Sequence, residues 1–378
     1  TAAQARLGLG TALLRDGDYA GAVAAFRDLL AAHPQSALAH DARFLLADAL
    51  VGAGDPLAAA EEHRAYLAAG TVITAYVNQS LGNALYAGGA YAEAIKAYQA
   101  AIAEAPETSF QVYTREKLAL TYTALQDYAS AIAQYDAILS VAQIRAYRAR
   151  IEHQAAETLI LAGESEAGYE RHLSVVETYP EAYYAYLSLV KLVEAGRPVD
   201  DFLRGKVDYY GGAYGPAVEA LYRYINAYPE THSADAHWYA GLSFLAAGSP
   251  DLAAKEFKTL IETHPGAARV GDAWMGLAET YADQGDIQAA VTAYRRFVES
   301  DPGHSRAPEA LWKAAQLLER DGRLESAAAA YMDCHVRYPN SDYGAPALFR
   351  NGLQSYRLGD LAQAAIAWNT LASLYPAS

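Results

Sequence analysis

One cysteine, Cys334, stands in 378 residues. That excludes an intramolecular disulfide and any CxxC metal knuckle. So sparing a use of cysteine fits an envelope or exported protein that avoids mispairing, and it fits a cytosolic one as well. Lysine is scarce, seven copies against 22 arginines, and acids outnumber bases 44 to 29. The net charge is −15 and the pI about 5.1. Such a chain repels phosphate, which argues against nucleic acid or an anionic membrane surface as the main partner. No run of about 18 apolar residues is free of charges or turn formers, so no transmembrane helix is expected. The signatures GxSxG, HExxH, GxGxxG and the P-loop are all missing, and Gly8-Leu9-Gly10 lacks the third glycine of a dinucleotide loop. The first residue is Thr1 and not Met, so the expectation is a processed or trimmed chain whose signal peptide would already be gone.

What the chain has is alanine, 84 copies, within a composition 53% hydrophobic and 19% charged. Alanine is the strongest helix former and packs closely, so the expected class is all-α and folded. Self-comparison then finds a period. Gly17-Asp18-Tyr19 is followed by Ala22, Phe26 and Pro34. The same spacing returns as Ala90-Tyr91, Ala94, Tyr98 and Pro106, and as Gly163-Glu164-Ser165, Gly168, His172 and Pro180. Further anchors are Tyr214, Pro250, Ile287, Leu324 and Leu361, each with a proline fifteen residues on. Pro56 and Tyr128 anchor two copies without that proline.

The spacing has a physical meaning. Nine residues before each anchor the side chain is small, as at Gly10, Ala47, Gly82, Gly241 and Gly352, and three after it is small again. Two antiparallel helices can approach closely at such places. Four residues further on, a bulky side chain such as Phe26, Tyr98, Phe257, Tyr294 or Trp368 shares that face and fills the next groove. The Gly-Asp turn ends one helix and opens the next. The proline ends the second helix of each pair.

This pattern resembles the tetratricopeptide repeat (TPR) over nearly the whole chain. The resemblance implies a right-handed α-solenoid of about ten helical hairpins, in copies slightly longer than usual, like those of envelope assembly lipoproteins. It implies protein binding rather than catalysis and no cofactor. The lysine, asparagine and arginine clamp of chaperone-binding members is not matched. One region breaks phase: the anchors Ser165 and Tyr214 are 49 apart, with Gly196-Arg197-Pro198 between them. The expected organisation is therefore repeats over 1–180, an irregular junction with an extra helix over 181–212, and repeats over 213–378. The stretch Val199 to Tyr224, with Gly211-Gly212-Ala213-Tyr214-Gly215-Pro216-Ala217, is similar to the helical region of bacterial soluble lytic murein transglycosylases.

Several residues carry candidate roles. Twelve before the last four anchors stand Trp238, Met275, Trp312 and Phe349, an aromatic-rich ladder that would line a partner groove or pack between successive first helices. Tyr183, Tyr184, Tyr209 and Tyr210 crowd the irregular unit and suit an interface or sugar stacking. Trp368, Leu371, Leu374 and Tyr375 belong to the last repeat and are expected to seal an end contact with another copy or an adjoining domain. His232, Asp235 and His237 precede one helix; two histidines at i and i+5 do not share a helical face, so no metal site is expected from them. His33 and His264 precede prolines and are assigned to the negative ends of helices. Arg145, Arg148, Arg150 and Arg171 read as a solvated face beside Glu152 and Glu157. Glu164-Ser165, Glu299-Ser300 and Glu325-Ser326 read as solvated or capping acids and not as a catalytic glutamate. The expectation is a non-enzymatic scaffold in the periplasm, on the cell surface or outside a bacterium. It would bind itself, stacking head to tail into an oligomer or filament, or another envelope protein. The alternative is the accessory helical region of a cell-wall lytic transglycosylase lacking its catalytic domain, with peptidoglycan as ligand.

Overall fold

A computed structural model describes residues 1–105 and 107–376. Among the described residues every regular element is an α-helix. Pro106 of the repeat pattern lies outside them. The chain divides into two compact units, Thr1–Pro198 and Val199–Ser378.

The first unit holds five hairpins: α1 (Ala2–Asp16) with α2 (Tyr19–Ala32), α3 (Leu38–Gly52) with α4 (Pro56–Ala68), α5 (Thr74–Ala87) with α6 (Tyr91–Ala103), α7 (Thr108–Ala124) with α8 (Tyr128–Leu139), and α9 (Arg145–Leu161) with α10 (Ser165–Thr178). A lone helix, α11 (Tyr183–Glu194), packs on α9 and α10. The second unit holds five more: α12 (Asp201–Tyr210) with α13 (Tyr214–Ala227), α14 (Ala234–Ala246) with α15 (Pro250–Thr263), α16 (Val270–Asp283) with α17 (Ile287–Ser300), α18 (Ala307–Arg320) with α19 (Leu324–Arg337), and α20 (Gly344–Arg357) with α21 (Leu361–Leu374). This is an α-solenoid, each hairpin packing on the next within its unit. The extra helix of the irregular region is α11, while α12 is an ordinary first helix paired with α13.

The close approach inferred from small residues is literal. A Cβ on Gly241 would meet the Phe257 ring at 2.5 Å, and one on Gly82 would meet Tyr98 at 2.6 Å. The turn inside each hairpin needs a left-handed residue, which glycine supplies without strain. Gly17 takes φ 83°, and among the described residues only Gln126 fills that role without being glycine, at φ 60°. Asp18, Asp55, Asp127, Asp286 and Asp360 then accept the amide of the third residue of the following helix.

Two polar devices interrupt the apolar core. In the first unit Ser188 of α11 sits between His153 Nδ1 at 2.9 Å and His172 Nδ1 at 3.0 Å, and His172 Nε2 reaches Glu157 at 3.0 Å. The carboxylate only accepts, so His172 donates from Nε2, accepts at Nδ1 from Ser188, and leaves the Ser188 oxygen to accept from His153. In the second unit Asp208 is buried 3.7 Å from Arg204, where other repeats carry apolar side chains. Burial raises the Asp208 carboxyl to about 6, against a smaller lowering by Arg204. No helix among the described residues is long and apolar enough to cross a membrane.

Candidate functional site

Position −13 from each anchor faces position +6 across its hairpin. In four of the ten hairpins a polar pair clasps there: Arg43 with Glu62 at 2.9 Å, Arg115 with Gln134 at 2.7 Å, Arg171 with Glu152 at 2.6 Å, and His237 with Glu256 at 2.7 Å; in the other six, position +6 is Ala. In the α16–α17 hairpin the pair is Trp274 and Ala293, a large flat ring opposite a methyl group. The result is a groove of about 610 Å³ between α15 and α17. Trp274, Leu277 and Tyr281 of α16 form its floor. Lys258, Ile261 and Glu262 line one wall; Gln288, Thr292 and Arg296 line the other. It runs on into a hollow of about 490 Å³ that shares Ile261 and Trp274 and ends at Phe297 and His304. An apolar floor with exposed charges of both signs at the rim is the layout of a small recognition site.

The clasp of the preceding hairpin continues into a histidine cluster. His237 Nδ1 donates to Glu256, whose other oxygen accepts from Tyr222 Oη at 2.8 Å. His237 Nε2 lies 3.1 Å from His232 Nε2, which lies 3.1 Å from His264 Nε2. His232 donates from Nδ1 to the Tyr228 carbonyl at 3.0 Å. The expectation that His232 and His237 cannot converge is thus corrected. His232 precedes the Ser233 cap of α14, so helical spacing does not govern it. His264, assigned to a helix end, caps α15 and also turns its ring into the cluster.

The other predicted residues fall as follows. Met275 is 1% exposed and packs in the core, where with Trp238 it borders a small hollow of about 170 Å³. Trp238 is half-buried on Phe257 under the Arg269 guanidinium. Trp312 is half-buried between Tyr331 and Tyr343. Phe349 is exposed, with Trp368 6.4 Å away. Hence the four do not form one open ladder. Tyr183 is exposed and Tyr184 packs near His153 in the first unit, whereas Tyr209 and Tyr210 contact Tyr239 in the second. Trp368 and Leu371 are half-buried and Leu374 is exposed. The Tyr375 hydroxyl donates to the Pro339 carbonyl at 2.6 Å, as Tyr338 does to Pro302 one repeat earlier at 2.9 Å. The bond is a clasp between successive repeats. The four arginines are engaged internally: Arg145 with Glu181, Arg148 with two carbonyls, Arg150 with Glu116, and Arg171 with Asp136 and Glu152.

The tetratricopeptide repeat model matches residues 2–37, 44–109, 202–268, 240–305 and 275–342. The chain belongs to the TPR family. The match over 202–268 takes in most of Val199–Tyr224, so an ordinary repeat accounts for that stretch. Among solved structures, this TPR chain is similar to the MamA protein at 17% identity, covering 46% of this chain and 88% of that one with a TM-score of 0.35. It is similar to a tetratricopeptide repeat protein from Parabacteroides merdae at 13% identity, covering 82% and 97% with a TM-score of 0.34. A third is PilW, a type IV pilus biogenesis factor, at 17% identity, 61% and 94% coverage and a TM-score of 0.33. No curated protein matches the chain.

Trp274 is the functional candidate that sequence reasoning misses. Its signal is a Trp at a repeat position that is polar in the first seven hairpins, as at Arg6, Arg43, Arg115 and His237, and Leu in the last two.

Proposed function

We propose that this TPR chain is a non-enzymatic protein-interaction scaffold of a bacterial envelope or exterior, and that the Trp274 groove holds a short segment of a partner protein. The observation that carries this reading is the groove itself, with its apolar floor and the exposed Lys258, Glu262 and Arg296 at its rim. Its shape suits one apolar anchor side chain, with charged neighbours on the partner set by the rim. The near-absence of cysteine is compatible with an envelope or exterior location and with a cytosolic one, so the location rests on the resemblance of the longer repeats to those of envelope proteins. Self-association draws support from the α20–α21 hairpin, where Phe349, Tyr356, Leu361, Ile366 and Leu374 are all exposed.

Selection of peptides from a displayed library on the whole chain tests the groove. Selected peptides are expected to bind wild type and to lose at least about tenfold affinity on Trp274→Ala, the scale of one buried aromatic anchor. Thr292→Glu at the rim is expected to weaken them as well, with helicity by circular dichroism unchanged in both variants. Equal binding to Trp274→Ala would remove the groove from the proposal. Co-sedimentation with purified peptidoglycan, lost in Trp274→Ala and without peptide binding, would transfer the site to glycan.

A further inference from the structure

We propose that His232, His237 and His264 form a three-histidine site for a divalent transition-metal ion, with Zn²⁺ as the favoured occupant. Ring nitrogens from all three lie within 4.8 Å of one another. Two of the edges are 3.1 Å. A tetrahedral ion with nitrogen ligands at about 2.0–2.1 Å spaces those ligands roughly 3.3 Å apart, so the cluster has nearly the right dimensions.

The hydrogen bonds behind the rings make the case chemical. A carboxylate and a carbonyl oxygen only accept. Glu256 therefore fixes the proton of His237 on Nδ1, and the Tyr228 carbonyl fixes that of His232 on Nδ1. In the neutral state both Nε2 atoms are bare lone pairs, pointed at each other across 3.1 Å. Such a contact is repulsive unless a cation or a proton stands between them. A metal ion satisfies both at once and takes the third lone pair from His264. The outer contacts are those that metal-bound histidines use: a carboxylate on one ring and a backbone carbonyl on another, with Tyr222 in turn holding the carboxylate.

The three ligands come from three places: the turn after α13, the first half of α14, and the C-terminal cap of α15. One ion would tie the α13–α14 connection to the end of α15. Three protein nitrogens leave a four-coordinate ion one further position, for water or for a donor from a partner.

The experiment uses the whole chain without a polyhistidine tag, stripped with chelator and titrated with Zn²⁺ by calorimetry. One ion per chain is expected, with a melting temperature that rises with free Zn²⁺. Substituted Co²⁺ is expected to give the strong visible bands of a tetrahedral site. His33, which occupies the same repeat position as His264 but contacts Arg6, provides the control. His33→Gln is expected to bind as wild type does. His232→Gln and His264→Gln are each expected to lose the site, and Glu256→Gln to weaken it about 10–100-fold. Folding is checked by circular dichroism in each case. Absence of stoichiometric binding to wild type would overturn the proposal. So would binding unchanged in both His232→Gln and His264→Gln.

Discussion

Asp208 shows what a single residue out of keeping with its repeat position costs. Its carboxyl is 5% exposed, and its Oδ2 and the Arg204 Nε have no hydrogen-bond partner. Desolvation outweighs the ion pair and raises the carboxyl from 3.8 to about 6. The folded pKa lies above the unfolded one, so the protonated form is the one that folding favours. The contribution to stability is full below the unfolded pKa and is lost as pH rises through about 6. At neutral pH Asp208 is a net cost, with an upper bound of about 3 kcal/mol for a shift of this size. Asp208→Asn keeps the shape and removes the charge. It is expected to stabilise the second unit at pH 7 by about 1–3 kcal/mol and to flatten its pH dependence between 4 and 6. Urea unfolding at several pH values measures this, and an Asn variant less stable at pH 7 would show that the Arg204 pair dominates.

At the scale of elements, the repeat is legible because its constraint is steric and recurs. Gly241 and Phe257 cannot both be large, and the same exclusion holds at Gly10 and Phe26. Trp274 is less legible, since its meaning depends on Ala293 across the hairpin and on the polar pairs that occupy the same two positions elsewhere. The histidine cluster is hidden for a different reason: i,i+5 spacing excludes convergence only inside a helix, and His232 lies before one. The lone helix α11 is foreshadowed by the 49-residue gap; it docks through buried Ala185, Leu189 and Leu192, and one hydroxyl, that of Ser188, ties it to two histidines. Ser188→Ala would leave His172 Nδ1 and His153 Nδ1 without their partner in a buried site, at about 1–3 kcal/mol. Burial lowers His153 to about 4 and also lowers His172. These groups stabilise fully above the unfolded value of 6.5, and that stability is lost as pH falls towards 4. Amide exchange over 183–194 is therefore expected to accelerate in Ser188→Ala and, in wild type, between pH 6.5 and 4. Exchange in α11 that ignores both changes would show that apolar contacts alone hold it.

For the whole molecule, a charge of −15 and an exposed apolar face on the α20–α21 hairpin act in opposite directions. In the other hairpins, residues at the Leu371 position, such as Leu260, Phe297 and Cys334, are fully buried by the helix that follows. Ile366 is the more telling residue, because its repeat position holds Glu219, Lys255 or Thr292 elsewhere, where solvent is the neighbour. A large apolar side chain at a position that its repeat-mates fill with a polar residue or with Ala, as at Ala24, Ala133 and Ala329, points to a contact specific to this hairpin. Mutual repulsion between copies weakens as salt shortens the screening length, while apolar burial does not. Light scattering is therefore expected to show mass above 40.6 kDa, rising with protein concentration and with ionic strength. The pair Ile366→Glu and Leu374→Glu places charge in the face without touching the core, and it is expected to hold the chain at monomer mass. A wild-type chain that stays monomeric at high salt would exclude self-association through this face and leave Ile366 as a docking residue for a different protein.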